Sequence, residues 1–422
     1  MKCIIITWLL AVIPLLGSAA KSIYQPLPPE LDGTMMTYDF TQSSSVEIPD
    51  SLTPFHIEYV ARHGARYLSS SHKTEKLQKT LIEAESNNNL TSAGHTFLSL
   101  LEKVNHLSEG KWGALSAIGE EEERKLAEIM AENWKSVFDS GRIIARATFV
   151  PRVVASMDAF TLSLNTRIPQ KNIYSISGPV NSPLLRFFDT NATYSHWLHP
   201  ELKNQSPVTT GDSWEEPLKR FEDETLPAGP AGRLFKVRPA KEELQKISAE
   251  MYGVLQGLRA ASIGVPTTQW FSVEEYRACW ECANVEHYLR RSLNSISSLP
   301  MSAVAPLLIE IISNADKSAL SPREEIAAAN LMFGHAETLL PLAALMNLPG
   351  AVALPLSLND LAGQWQDYNV TPLGANILLT LARHKTSGIV YARVALNGRN
   401  AGWLPWHELR AEWLERIAQF SL

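Results

Sequence analysis

His56–Tyr67 reads HIEYVARHGARY. β-Branched and aromatic residues fill its first half, and the run stops at Gly64. It is therefore expected to be a strand that ends in a loop. In that loop Arg62 and Arg66 flank His63. Guanidinium forks are planar, permanently charged and match phosphate oxygens. Gly64 lets the backbone approach a ligand closely. Like charges disfavour an imidazolium, so His63 is expected to be neutral and nucleophilic while the arginines hold an anion before it. Taken alone, Ala61–Arg66 also fits an arginine-rich surface loop.

Outward from this stretch the chain alternates. Residues 21–50 are rich in proline and serine and read as an irregular lead-in. Helical periodicity follows in 74–86, 91–106 and 117–138, the last with Glu120 to Glu123 in its first turn, where acids suit the helix dipole. Ile143–Val150 reads as a strand and Val153–Leu164 as a helix. From about 165 to 300, prolines, glycines and loops separate helical segments without strand alternation. After 300 the rhythm returns: a helix start at Ser321-Pro322-Arg323-Glu324, a short strand at Ala329–Gly334, a helix at Ala336–Met346 and a strand at Ile389–Asn397. Pro405–Phe420 closes as an amphipathic helix, with Trp406, Leu409, Trp413 and Ile417 at helical spacing. Such alternation predicts an α/β fold, a mainly parallel sheet with helices on both faces. Residues 21–165 and 300–422 would form the catalytic domain and 166–299 an inserted, mainly helical one. Ligands of such sheets bind beyond the carboxyl ends of strands. One candidate strand ends at Arg62-His63-Gly64, another at His335-Ala336-Glu337.

With 422 residues, 45% hydrophobic and 19% charged, the chain is long and apolar enough for a sizeable core and too poorly charged for disorder. A net charge of −6 speaks against a nucleic-acid partner, so a pocket for an anion must be made basic locally. Met1–Ala20 carries Lys2, the apolar run Ile4–Leu16 and the small residues Gly17 to Ala20, a secretory leader pattern. Its removal would take the charge to −6 − 1 = −7. Cys3 precedes the apolar run and does not read as a lipid-attachment site. No later stretch reads as a membrane span, so a soluble periplasmic or secreted product is expected. Cys279 and Cys282 lie in a segment that Ser272 and Glu275 would cap as a helix. A local disulfide or two buried thiols is expected there rather than a zinc or redox site.

HIEYVARHGARY resembles the R-H-G-x-R-x-P signature of histidine acid phosphatases, and FGHAETLLPLAALMNL resembles their second signature, a histidine followed by a small residue and an acid. LSAIGEEEERKLA and VPRVVASMDAFTLSL resemble the helix before the family's third arginine and the segment that supplies it. VTPLGANILLTLARHKTSGIVYARVALNGR resembles its C-terminal strand–helix–strand region. The match spans about 50–420 and is weak in the helical insert. Leu68 stands where the family usually has proline. Tyr67 and the His-Ala-Glu triplet tilt the likeness toward the multiple inositol polyphosphate phosphatase and phytase branch.

The resemblance implies a phosphoglycerate-mutase-like fold and a set of roles. His63 would be the phosphate-accepting nucleophile and Glu337 the acid that protonates the leaving alcohol. Arg62, Arg66, Arg152 and His335 would hold the phosphate oxygens, with Arg142 and Arg146 as neighbouring alternatives to Arg152. No metal and no cofactor is implied. The partner would be a small phosphorylated molecule, an inositol polyphosphate, with no nucleic acid and no membrane; oligomeric state is left open. His72, Lys73 and Lys76 follow the loop and would serve a polyphosphorylated substrate, Lys73 foremost, or else sit on a solvated helix start. Asn284 and His287 are further candidates for the cleft.

Three rival chemistries and one silent reading are weaker. Ala260-Ala261-Ser262-Ile263-Gly264 approximates a serine-hydrolase elbow but lacks a preceding strand. No His-Glu-x-x-His or tight Asp/His cluster supports a metallohydrolase. A phosphoglycerate-mutase-type enzyme would share the R-H-G start but neither the leader nor His-Ala-Glu. A binding protein that kept the phosphate pocket would need neither nucleophile nor acid.

Overall fold

The computed structural model describes residues 23–42, 46–139, 141–169, 172–200, 213–321, 326–400 and 402–420. The leader expected over Met1–Ala20, with Cys3, lies outside the described residues. Among the described residues one sheet contains β1 (Leu52–Arg62), β2 (Arg142–Ala147), β3 (Ile173–Ser177), β4 (Ala327–Gly334), β5 (Asn376–His384), β6 (Val390–Leu396), β7 (Arg399–Asn400) and β8 (Leu404–Pro405). Their order is β3-β2-β4-β1-β5-β6-β7, with β8 also on β6. The first four strands run parallel to one another, and the remaining pairings are antiparallel. β1 is buried along nearly its whole length. Ile57, Tyr59 and Ala61 enter one core and Val60 the other, as period-two alternation requires of a strand covered on both faces.

Among the described residues, four α-helices precede β3: α1 (His72–Ser86), α2 (Ser92–Ser108), α3 (Ala117–Asn133) and α4 (Pro151–Arg167). Between β3 and β4 come the short α5 (Ser182–Leu185), α6 (Phe187–Thr190) and α7 (Ala192–Leu198), then α8 (Glu215–Thr225), α9 (Gly229–Gly232), α10 (Lys241–Leu255), α11 (Val273–Arg291) and α12 (Leu299–Leu320). α13 (Ala336–Leu345) follows β4 directly, α14 (Leu361–Gln364) and α15 (Asp367–Val370) precede β5, and α16 (Trp406–Phe420) closes the chain. α3 and α4 cover one face of the sheet, where Leu126, Met130 and Phe160 share a core with Tyr59, Leu331 and Phe333. α12, α13 and α16 cover the other, where Leu308, Leu339 and Trp413 share a core with Val60, Met332 and Leu379.

The expected elements appear within a few residues of their predicted limits, with three differences. First, 166–299 is not one helical unit. It contains β3, a parallel edge strand of the sheet. α5–α7 join the core against the sheet, while α10 and much of α11 share a separate core with α1 and α2. β3 has no legible strand pattern because four of its five residues are exposed, which erases the inward–outward alternation. Second, Ser321 is the C-cap of α12, and the rest of the helix start expected at Ser321-Pro322-Arg323-Glu324 lies outside the described residues. Third, the C-terminal strand–helix–strand is a hairpin: β5 and β6 pair antiparallel across a short turn in which Gly388 takes φ +73°.

Candidate active site

β1 and β4 are parallel neighbours with Arg62 opposite Gly334. The next residue of each strand, His63 and His335, therefore emerges beside the other, with ring centroids 5.8 Å apart and planes at 77°. The His63 N–H donates to Gly334 O at 3.2 Å, and the His63 carbonyl accepts from Gly374 N–H at 3.1 Å. α13 begins at once: His335 N–H donates to Thr338 Oγ1 (3.3 Å), and that hydroxyl donates to Leu185 O (2.7 Å).

The loop after β1 crosses the first turn of α3 backbone to backbone. A Cβ on Gly64 would lie 2.5 Å from Gly119 O, and one on Gly119 would lie 2.1 Å from Ala65 O. Only two glycines permit this approach. Gly64 N–H donates to Ser156 Oγ at 3.1 Å. Glu122 fixes the next residue: its Oε2 accepts from Ala65 N–H at 2.7 Å and its Oε1 from Tyr38 N–H at 2.8 Å. Burial pushes Glu122 up to about 7, against the pull of those two N–H groups.

His63 is buried, and its Nδ1 lies 2.9 Å from Gly64 O. A carbonyl only accepts, so Nδ1 carries the proton and Nε2 keeps its lone pair. Burial, then Arg62, Arg152 and Arg66, hold the imidazole well below its usual range and therefore neutral. Arg62 Nη1 donates to Thr34 O (2.5 Å) and Thr371 O (2.6 Å). Arg66 Nη1 donates to Tyr67 O at 2.9 Å. Burial and the neighbouring Arg62 and Arg152 press Arg66 down to about 9, still a cation at neutral pH. Arg152 stands in the first turn of α4 and shares the field of Glu337. The Nε atoms of Arg62, Arg66 and Arg152 are buried without a hydrogen-bond partner among the described residues. Of the alternatives to Arg152, Arg142 is exposed at the start of β2 and Arg146 pairs with Glu310 at 3.1 Å.

His335 Nε2 lies 3.2 Å from Thr148 Oγ1 and 3.5 Å from Arg186 Nη1. Burial, with Arg152 and Arg186, lowers it to about 3 against Glu337, so this ring too is neutral. Glu337 sits in the first turn of α13, 3.3 Å from Arg291 Nη2. Burial works to raise its carboxyl, but Arg291, the helix-start N–H and Arg62 outweigh it and hold the group well below the usual range.

The remaining predicted residues divide. Lys73 and Arg66 line one cavity of about 140 Å³ with Leu68, Ser69, Ser70 and Gln256. Lys76 pairs with Glu250 instead, and His72 is exposed at the start of α1. Asn284 is a buried clamp that accepts from Asp367 N–H (2.8 Å) and donates to Trp365 O (3.1 Å). His287 is tied through Nδ1 to Asp367 Oδ2 at 2.7 Å. Cys279 and Cys282 are free buried thiols, both pushed up by burial. Ser262 lies in a turn after α10 with φ +56° and follows no strand. Sequence reasoning missed Arg186 and Arg291. Arg186 sits between two four-residue helices, where no periodic pattern marks it, and Arg291 reads as an ordinary basic helix end.

Residues 56–173 match the family model of the histidine phosphatase superfamily (branch 2). A search of curated proteins finds no match. Among solved structures, the multiple inositol polyphosphate phosphatase of Bifidobacterium longum, in complex with inositol hexasulfate, is similar with a TM-score of 0.73 and 16% identity, covering 89% of this chain and 93% of that one. The phytase from D. castellii is similar with a TM-score of 0.61 and 14% identity, covering 92% of this chain and 85% of that one. The chain thus carries the histidine phosphatase (branch 2) signature region and, over most of its length, that fold.

Proposed function

We propose that this chain is an exported phosphomonoesterase that hydrolyses inositol polyphosphates through a phosphohistidine, without a metal. The observation that carries the reading is the junction of β1 and β4. A neutral histidine with its lone pair on Nε2 stands among three arginines, next to a carboxyl group at a helix start. In the first half-reaction His63 Nε2 attacks phosphorus, the P–N bond forms and the P–O bond to the alcohol breaks. Glu337 delivers a proton to the departing oxygen. Arg62, Arg66 and Arg152, with the start of α13, neutralise the charge spread over the non-bridging oxygens. In the second half-reaction Glu337 takes a proton from water, the hydroxyl attacks phosphorus, and phosphate leaves His63. The cavity shared by Arg66 and Lys73 supports a substrate with more than one phosphate.

The test is phosphate release from inositol hexakisphosphate in EDTA, beside p-nitrophenyl phosphate and the variant Glu337→Gln. Rapid release from the inositol substrate is expected, with about 10²–10⁴-fold loss in the variant. Activity on the small ester alone would leave a broad acid phosphatase. Binding without turnover would leave a phosphate-ligand-binding protein, and inhibition by EDTA would end the metal-free mechanism.

A further inference from the structure

Arg290 and Arg291 are neighbours in the last turn of α11, yet they are held in different ways. Arg290 is anchored three times: it pairs with Glu286, donates to Leu198 O at 3.3 Å and lies 4.7 Å from the Trp214 ring. Arg291 has one polar contact among those resolved, Nη2 to Glu337 Oε1 at 3.3 Å. That is longer than the ~2.7–2.9 Å of a tight charge-assisted bond. Its Nε is buried without a partner among the described residues, while its side chain keeps 11% and that of Glu337 35% of their exposure. The guanidinium is therefore held beside Glu337 by one loose hydrogen bond, with Glu286 of its own helix also in its field.

Its side of the cleft follows from its partner. Arg62, Arg66 and Arg152 surround His63 and so surround the phosphate under attack. Glu337 must reach the oxygen that leaves. A cation on that carboxylate therefore stands beside the leaving alcohol, not the transferred phosphoryl group. From these observations, and resting on the reading above, we infer that Arg291 is a leaving-group-side anion site. It takes the phosphate on the ring carbon next to the one being cleaved, and by turning to it lets Glu337 acquire its proton. The proton comes from solvent and ends on the alcohol. A substrate without that second phosphate leaves Arg291 on Glu337 and the acid ionised. Specificity for polyphosphates and the supply of the catalytic proton are thereby one event.

The groups that face Glu337 are Arg291 from α11, His335 beside it, Arg62 from β1, Arg66 from the loop, Arg152 from α4 and Tyr194 from α7. Arg291 is the cation among them whose removal spares the phosphate under attack. The experiment compares wild type, Arg291→Ala and Arg291→Lys on inositol hexakisphosphate and on 2-glycerophosphate, an ester with a poor leaving group and no second phosphate. In Arg291→Ala, KM for the hexakisphosphate should rise about tenfold or more, the effect of one charged hydrogen bond. kcat/KM for glycerophosphate should rise severalfold, and the alkaline limb of its pH profile should move to higher pH. Because the substrate is the same in both proteins, that displacement belongs to the enzyme. Arg291→Lys should restore most of the wild-type preference. Parallel loss on both substrates with an unmoved alkaline limb would overturn the inference and leave Arg291 a packing residue. Should Arg291→Ala fail to fold, Arg291→Gln takes its place, which keeps the bulk and removes the charge: an unchanged KM ratio between the two esters overturns the inference, while a shift toward glycerophosphate supports it. Absence of turnover by wild type on either ester would instead overturn the functional reading, and this inference with it.

Discussion

The floor and the wall of the cleft are built differently. On the floor, His63 and His335 retain 3% exposure each and are fixed by backbone: Gly334 O, Gly374 N–H, the Gly64–Gly119 crossing and the start of α13. On the wall, Lys73, Arg186 and Arg291 stand on helices and loops from three distant parts of the chain. Arg186 leans on Asp189 and the rings of Phe149 and Phe188; Arg291 touches Glu337. On the proposed function, the contrast separates two duties. Bond making needs atoms held to a fraction of an ångström, which neighbouring strand ends supply. Recognition of a variable polyanion needs charge within reach, which long side chains on the rim supply.

The largest effect should come from the floor. His63→Ala removes the lone pair that the proposed mechanism needs, and phosphate release should fall to the uncatalysed level while thermal melting stays cooperative. A variant that kept turnover would place the nucleophile elsewhere and dissolve the distinction between floor and wall. Gly64→Ala should come next. Its Cβ would meet Gly119 O at 2.5 Å, backbone against backbone, so neither side yields by a rotamer change. Overpacking of this kind costs about 1–3 kcal/mol, and here the displacement falls on the residue after the proposed nucleophile. Melting temperature and kcat should both drop. A fall in stability with kcat intact would show that the floor tolerates more movement than its backbone ties suggest.

The same contrast explains what was legible in the sequence. A strand end turns sequence neighbours into spatial neighbours, so RHGAR and His-Ala-Glu are short patterns and were read as such. The register that sets His63 beside His335 follows from β1 and β4 being adjacent, which a mainly parallel sheet made probable but did not specify. The wall has no such pattern. Arg291 at a helix end and Arg186 between two short helices match what any soluble helix offers, and only the fold brings them to Glu337 and His335. β3 was invisible for a related reason: an exposed edge strand has no buried face to impose alternation. Glu122 was read as one of four acids suited to a helix dipole, when its position facing Ala65 and Tyr38 is what matters.

Glu122 carries the smallest prediction, and it tests whether the floor's rigidity depends on a proton. Burial raises its carboxyl from the ordinary 4.5 to about 7. Between those values the folded protein keeps a proton that the unfolded chain has released, so stability must fall as pH rises through that window. Asp32, raised by burial to about 7 despite Arg259, works in the same direction, as does Glu222, raised by burial and Glu286. Glu337, depressed, works oppositely: its stabilisation is complete above the ordinary carboxyl range and is lost only in stronger acid. His63 and His335, held below the ordinary imidazole value of 6.5, oppose these carboxyls in that range, so the contribution of Glu122 is read as a difference between two proteins. The melting temperature of Glu122→Gln relative to wild type should fall from pH 8 to pH 5, because one of the groups that gain a proton is gone. The variant should also be less stable at pH 5, since an amide offers one acceptor where two N–H groups need one each, and a buried unmet donor costs about 1–3 kcal/mol. An identical slope in the variant would mean that Glu123, buried beside it and raised by the same desolvation, holds the proton instead. Glu123→Gln would then be the variant that flattens the slope, and Ala65 would be held by a permanently charged clamp.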